Sequence, residues 1–229
     1  NTSVGGLVAR TGDKTDVIAA EPTMAAARVK QNIGAESWVG AIATTGDPLG
    51  RDGSWMAGAD FTYVTSRVRG DKNFLAGVWG LATDRADLGR DATAYGFKVD
   101  YPNDRWDLNL TYKRIGRDFD PSLGFVPRRA VHLISGQTDN RTRPSGGPIQ
   151  ELYHQFSPSL ALDLSGEWES YRVFFAPVNW QFRSGDRFEF NANPTGERLV
   201  APFEIADGVV IAPGGYHWRR YRLEVGTAE

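Results

Sequence analysis

Between Thr93 and Lys113 the chain alternates apolar and polar residues with a period of two, in two successive runs. Thr93, Tyr95, Phe97, Val99 and Tyr101 are interleaved with Ala94, Gly96, Lys98 and Asp100. After Pro102–Arg105, Trp106, Leu108, Leu110 and Tyr112 are interleaved with Asp107, Asn109, Thr111 and Lys113. Successive strand side chains point to opposite faces, so this pattern predicts a hairpin with one apolar and one polar face. Pairing Tyr101 with Trp106 aligns Val99 with Leu108, Phe97 with Leu110 and Tyr95 with Tyr112. A one-residue slip would break all of these pairs at once. The same register sets Asp100 against Asp107, a like-charge pair that counts against it. Aromatic residues close both ends of the apolar face, and the arms have the ~9–11 residues a tilted strand needs to cross a bilayer. A soluble sandwich with an aromatic inner face would alternate in the same way, so the hairpin by itself leaves both readings open.

Alternation recurs along the chain. It predicts strands over Ser54–Ser66, Arg129–Asp139, Gln150–Leu164 and Tyr216–Val225, and a second hairpin from Ser170–Phe182 and Arg187–Asn193. In that hairpin Phe182 is expected to face Phe188, Trp180 to face Phe190 and Val178 to face Ala192. Pro177, inside its first arm, calls for an edge, a bulge or a strand end. Asn73–Thr83 carries large apolar groups on both faces, which leaves its orientation open. Val4–Arg10 and Asp16–Ala20 read as a short hairpin. Met24–Gln31 reads as a strand despite its three alanines, because Val29 and the Asn32–Ala35 turn lead straight into Trp38–Thr44. Connections run alternately short and long, apart from Asn140–Pro148 and Gly166–Glu167. An up-and-down meander sends odd and even connections to opposite ends, as outer-membrane barrels do, whereas Greek-key sandwiches need not sort them. The expected fold is therefore all-β: an antiparallel up-and-down meander of about twelve strands, curved as in a transmembrane barrel. Residues 1–229 are expected to form a single such domain or a fragment of one.

Composition narrows the function classes. A net charge of −2 and a pI near 6.0 give no electrostatic footprint for nucleic acid. The absence of cysteine removes disulfides, thiolate metal sites and thiol catalysis. His132, His154 and His217 lack ligand spacing, and Asp84, Asp87 and Asp91 lack that of an EF-hand loop, so no metal or cofactor is expected. No apolar run approaches the ~18 residues of a membrane helix. A mean hydropathy of −0.40 is compatible with a barrel whose inward positions are polar.

The long loop from Ile115 to Arg129, ending in Gly124–Arg129, is the most distinctive segment. With Ala94–Gly96, Asp104–Trp106, Phe182–Asp186, Pro202–Ile205 and Ile211–Gly214, it resembles the C-terminal β-barrel domain of a bacterial family whose N-terminal half looks like a family-9 carbohydrate-binding module. The resemblance extends from about Ala27 to Val225, specific in the loop and loose near the N-terminus. It implies a bacterial outer-membrane location, a lipid bilayer as partner, oligosaccharide as the handled solute and an upstream carbohydrate-binding module in the full-length chain. It carries over no catalytic residue.

The residues of the loop support three readings. Phe119, Leu123, Phe125 and Val126 are too apolar for a solvated loop, and Arg128 and Arg129 can pair with Asp118 and Asp120, or with Asp60 and Asp100. The first reading is a plug latched by ion pairs, with Phe125 shielded. The second is a ligand-gripping loop, with Phe125 stacking on a sugar and Arg128 binding a hydroxyl or carboxylate. The third is a glycosidase pair, Asp118 and Asp120, which needs carboxylates ~5–5.5 or ~6.5–9.5 Å apart. Two functions from different classes follow: an outer-membrane β-barrel segment that binds, passes or anchors machinery for carbohydrate use, and a soluble periplasmic or secreted glycan-active hydrolase. Asn1 and Glu229 flank the pattern without a capping turn, so an open fragment with further strands downstream is expected.

Overall fold

The computed structural model describes residues 1–12 and 21–228. The expected arm Asp16–Ala20 lies outside the described residues. Fourteen strands follow in order: β1 (Thr2–Arg10), β2 (Thr23–Ile33), β3 (Ser37–Thr45), β4 (Trp55–Val68), β5 (Lys72–Asp84), β6 (Thr93–Pro102), β7 (Trp106–Ile115), β8 (Val131–Thr142), β9 (Ile149–Asp163), β10 (Trp168–Phe182), β11 (Arg187–Leu199), β12 (Phe203–Ala206), β13 (Val209–Ile211) and β14 (Gly214–Gly226). Twelve of them form one meander sheet in the order β1 to β11 and then β14. It starts at β1 and ends at β14, and among the described residues no ladder joins these two edges. β12 and β13 form a separate hairpin inside the last long connection, a stretch the alternation pattern does not reveal. Contacts group the chain into two units, residues 1–99 with 112–132, and residues 100–111 with 133–229.

In the first unit the alanine-rich segment is a strand because it is paired on both sides. Val4 of β1 faces Val29, and Val8 faces Ala25. On its other side Ala27 faces Ala43 and Val29 faces Ala41 of β3. Two complete ladders outweigh alanine's helix preference, which amounts to tenths of a kcal/mol per residue. In the second unit Pro177 sits within a bulge. The β10 register shifts between Ala176 and Asn179 against β9, and between Phe175 and Val178 against β11. The carbonyl of Pro177 is 2.6 Å from Nδ1 of His154.

Both hairpin registers differ from the expected ones by two residues. Trp180 faces Phe188, Val178 faces Phe190, and Phe182 is bonded to Asp186 across the turn. The loop is thus Arg183–Gly185, a tight turn followed by Gly185 at φ 93°, a conformation that favours glycine. In the Thr93–Ile115 hairpin, the Gly116 N–H donates to Thr93 in the first unit and the Asn103 N–H to Trp106 in the second. Both bonds carry the same offset, which sets Phe97 across from Tyr112; their rings are 5.5 Å apart. This offset separates Asp100 from Asp107 and so relieves the like-charge conflict of the expected register. A two-residue shift keeps every side chain on its expected face.

The faces are inverted relative to a water-soluble sheet. In the first unit Val39, Phe61, Tyr63, Val78, Tyr95 and Phe97 are exposed. In the second, Trp106, Leu108, Leu110, Phe156, Phe175, Leu223 and Val225 are exposed. The opposite positions are small or polar: Ala94 and Thr83 are buried in the first unit, and Ala176, Asp139, Asn191 and Asn193 in the second. Among the described residues the buried apolar set is four alanines with Phe119 and Val131. The accessible surface is 14518 Å², whereas a folded soluble chain of 25.2 kDa exposes about 10,000 Å².

Candidate functional site

Two constructions in the first unit bring chemistry together. The first is built from its three long connections, residues 46–54, 85–92 and 116–130. Arg85 is 3% exposed and is the hub. Its guanidinium donates to both carboxylate oxygens of Asp87, to Asp120 at 2.9 Å and to the Ser122 hydroxyl at 3.1 Å. Asp47, 1% exposed, lies 3.8 Å from Arg85, accepts from the Leu49 N–H and is bridged by Arg51 at 2.7 Å. Ser54 bonds Ser122 at 2.6 Å. Asp91 ties the second loop to the third: it accepts from Arg114 and the Arg117 N–H, while its own N–H donates to Asp118.

These bonds polarise the acids. Burial alone would raise the Asp47 carboxyl, but hydrogen bonds from Arg51, Ser122 and Leu49 outweigh it and hold the group well below the usual carboxylate range. Asp87 is lowered chiefly by Arg85. Burial raises Asp91, and the Arg117 N–H and Arg114 reverse the sign. Arg85 is driven further above its ordinary value, first by its bond to Asp87.

The predicted site residues divide. Phe119 is 4% exposed and anchors the loop. Phe125 is 89% exposed, so the expectation that it is shielded is corrected: the turn closed by the Gly124 N–H and the Pro121 carbonyl carries it outward. Arg129 lies 3.7 Å from Asp120. Asp118 accepts from the Asp91 backbone and Asp120 from Arg85, so both carboxylates hold the loop in place. Asp60 pairs with Arg28 instead of a loop arginine. Sequence reasoning missed Arg85; its signal is a lone cation between Asp84 and Asp87 in a long loop.

The second construction is a groove of about 510 Å³ on the shielded face, bounded by Arg28, Trp38, Asp60, Thr62, Trp79 and Lys98. Register positions its parts: Trp38 faces Thr62, and Asp60 faces Trp79. Two glycines clear its floor. Arg28 of β2 reaches over Gly40 of β3 to Asp60 of β4, and a Cβ at Gly40 would collide with Arg28 and stand 2.8 Å from Asp60. A Cβ at Gly96 would stand 3.0 Å from the Trp79 ring. The Lys30 ammonium lies 3.9 Å from the Trp38 ring centre, a cation–π contact. Among the described residues no three His, Asp or Glu side chains converge as a metal site would require.

No protein-family model, no curated protein and no solved structure matches the chain.

Proposed function

We propose that the twelve-stranded sheet is part of the wall of an outer-membrane β-barrel, with its exposed apolar face toward lipid and its shielded face handling oligosaccharide. The observation that carries this reading is the inversion of the faces. Large apolar side chains are exposed, while among the described residues the buried set is small or polar apart from Phe119 and Val131. Exposing that many aliphatic and aromatic side chains to water is unfavourable by about 25 cal/mol per Å². In hydrocarbon the cost disappears, and strands of 9 to 15 residues in the sheet suit a tilted bilayer crossing. Within a bilayer the edges at β1 and β14 need hydrogen-bonding partners. The carbohydrate part rests on the resemblance of the long loop and on the tryptophan-lined groove.

Solubility tests it. The purified chain should require detergent, and its tryptophan fluorescence should be quenched by lipid-borne quenchers after reconstitution, because Trp55 and Trp106 are exposed on the apolar face. Monodisperse, folded protein in plain buffer with unquenched tryptophans would overturn the reading.

A further inference from the structure

We infer that the apolar face of β14 around Arg219 is a recognition site for the phosphate of an anionic lipid headgroup. The inference rests on the membrane reading above and adds to it a lipid class and a level along the strand. It stands on a cation, a cluster of rings and the common level at which they meet, all within the second unit.

The cation is out of place on this face. β14 pairs with β11 without a register shift, so Arg219 shares its face with the exposed side chains of Tyr221, Leu223 and Val225. Arg198 lies on the same face but is taken up by Glu167 at 2.8 Å and Asp163 at 3.6 Å. Arg219 has no ion pair among the described residues. An unpaired guanidinium is unfavourable in hydrocarbon, so its charge must reach the boundary where the headgroups lie.

The rings mark such a boundary. Tyr171 and His217 reach toward each other across Gly196, which pairs with both. The Tyr171 hydroxyl lies 3.0 Å from Nδ1 of His217, and the Trp168 and His217 ring centres are 5.1 Å apart. These rings need glycine beneath them. A Cβ at Gly196 would collide with Tyr171 and stand 2.9 Å from His217, and one at Gly215 would stand 3.2 Å from Trp168. Tyr171 shares the face of the exposed Phe175, which precedes the bulge in β10. Rings with an apolar body and a polar tip collect at headgroup level. At the far end of the same face Trp180, Phe188 and Val225 form a row that carries no charge.

Cation and rings fall at one level. Arg219 follows His217 by one same-face step, ~6.7 Å along the strand and less in depth once the strand tilts. An extended arginine side chain covers that step and brings its guanidinium beside the imidazole. A hydroxyl that donates to Nδ1 leaves the imidazole proton on Nε2, a second donor at this level. A guanidinium fork with one further N–H matches the oxygens of a phosphate. A zwitterionic headgroup brings an ammonium beside its phosphate, and the guanidinium repels it. The site therefore selects headgroups of net negative charge.

The test uses the full chain in detergent, titrated with phosphatidate and with phosphatidylcholine of matched acyl chains, with retained lipid counted by native mass spectrometry. Phosphatidate should bind saturably and about fivefold more tightly, the factor one arginine supplies at an anionic membrane surface. The preference should shrink as salt rises. Arg219→Gln should erase it, and His217→Phe, which keeps a ring and removes the donor, should weaken it. Arg220→Gln, the neighbour on the opposite face, should leave it unchanged. Equal binding of the two lipids, or equal loss in the two arginine variants, would overturn the site and leave the membrane reading in place. Inorganic phosphate that binds as tightly as phosphatidate would assign Arg219 to a soluble anion and overturn the proposal. A folded chain that needs no detergent would remove both readings.

Discussion

At Arg85 a single side chain connects three loops, and its removal should be felt in all of them. Arg85→Met leaves Asp87 and Asp120 without their guanidinium, although both are exposed enough to recover hydration. The cost should therefore be about 1–3 kcal/mol rather than the larger penalty of an orphaned buried charge. Hydrogen exchange at the Leu49, Asp91 and Arg117 amides, each bonded to a loop carboxylate, should accelerate together. An unchanged exchange pattern would show that the loops are held by something other than Arg85. Acid should act on the same network. The carboxyls of Asp47, Asp87 and Asp91 are lowered in the folded chain, so their contribution is complete above the unfolded value of about 4 and is lost as pH falls through each lowered value. The long-loop amides should thus lose protection below about pH 4 and regain it on return to neutrality. Residue-level reading of the sequence succeeded at Phe119 and Arg129 and failed at Phe125, because apolarity shows that a loop wants burial without showing which aromatic receives it.

At the scale of strands, the alternation of β6 and β7 can be tested by adjacent substitutions. Leu108 is exposed on the apolar face, and Asn109 is half-buried on the other. In a bilayer Leu108→Arg should cost about 2–4 kcal/mol and Asn109→Arg much less. Urea unfolding of both variants in lipid vesicles checks the order, and equal effects would refute the assignment of faces. Strand existence and face were legible because period-two patterning survives a two-residue register error. Register was not legible, because it is set by turn chemistry: the residue at Gly185 with positive φ acts over one or two positions only. β5 was ambiguous in sequence because both of its faces carry large apolar side chains. Leu75, Trp79 and Leu81 are apolar on its shielded side because they line the groove. A strand apolar on both faces in an otherwise alternating chain therefore marked the candidate site before its structure was known.

At the scale of the molecule, the sorting of connections by length was legible because a meander leaves no other arrangement of odd and even loops. The β12–β13 hairpin was not, since strands of four and three residues are too short to establish a period. The near absence of a buried apolar interior also has a calorimetric consequence. The heat-capacity step of unfolding measures apolar surface newly delivered to water, and a soluble chain of 229 residues would show about 2.7–3.4 kcal/mol/K. On the proposed membrane reading, the outward-facing apolar side chains of the folded chain remain bathed in detergent or lipid after it unfolds. Their surroundings barely change, so the step should be a small fraction of that figure. The stability curve would then be nearly straight with temperature, without the cold-side decline that a large heat-capacity step imposes on soluble proteins.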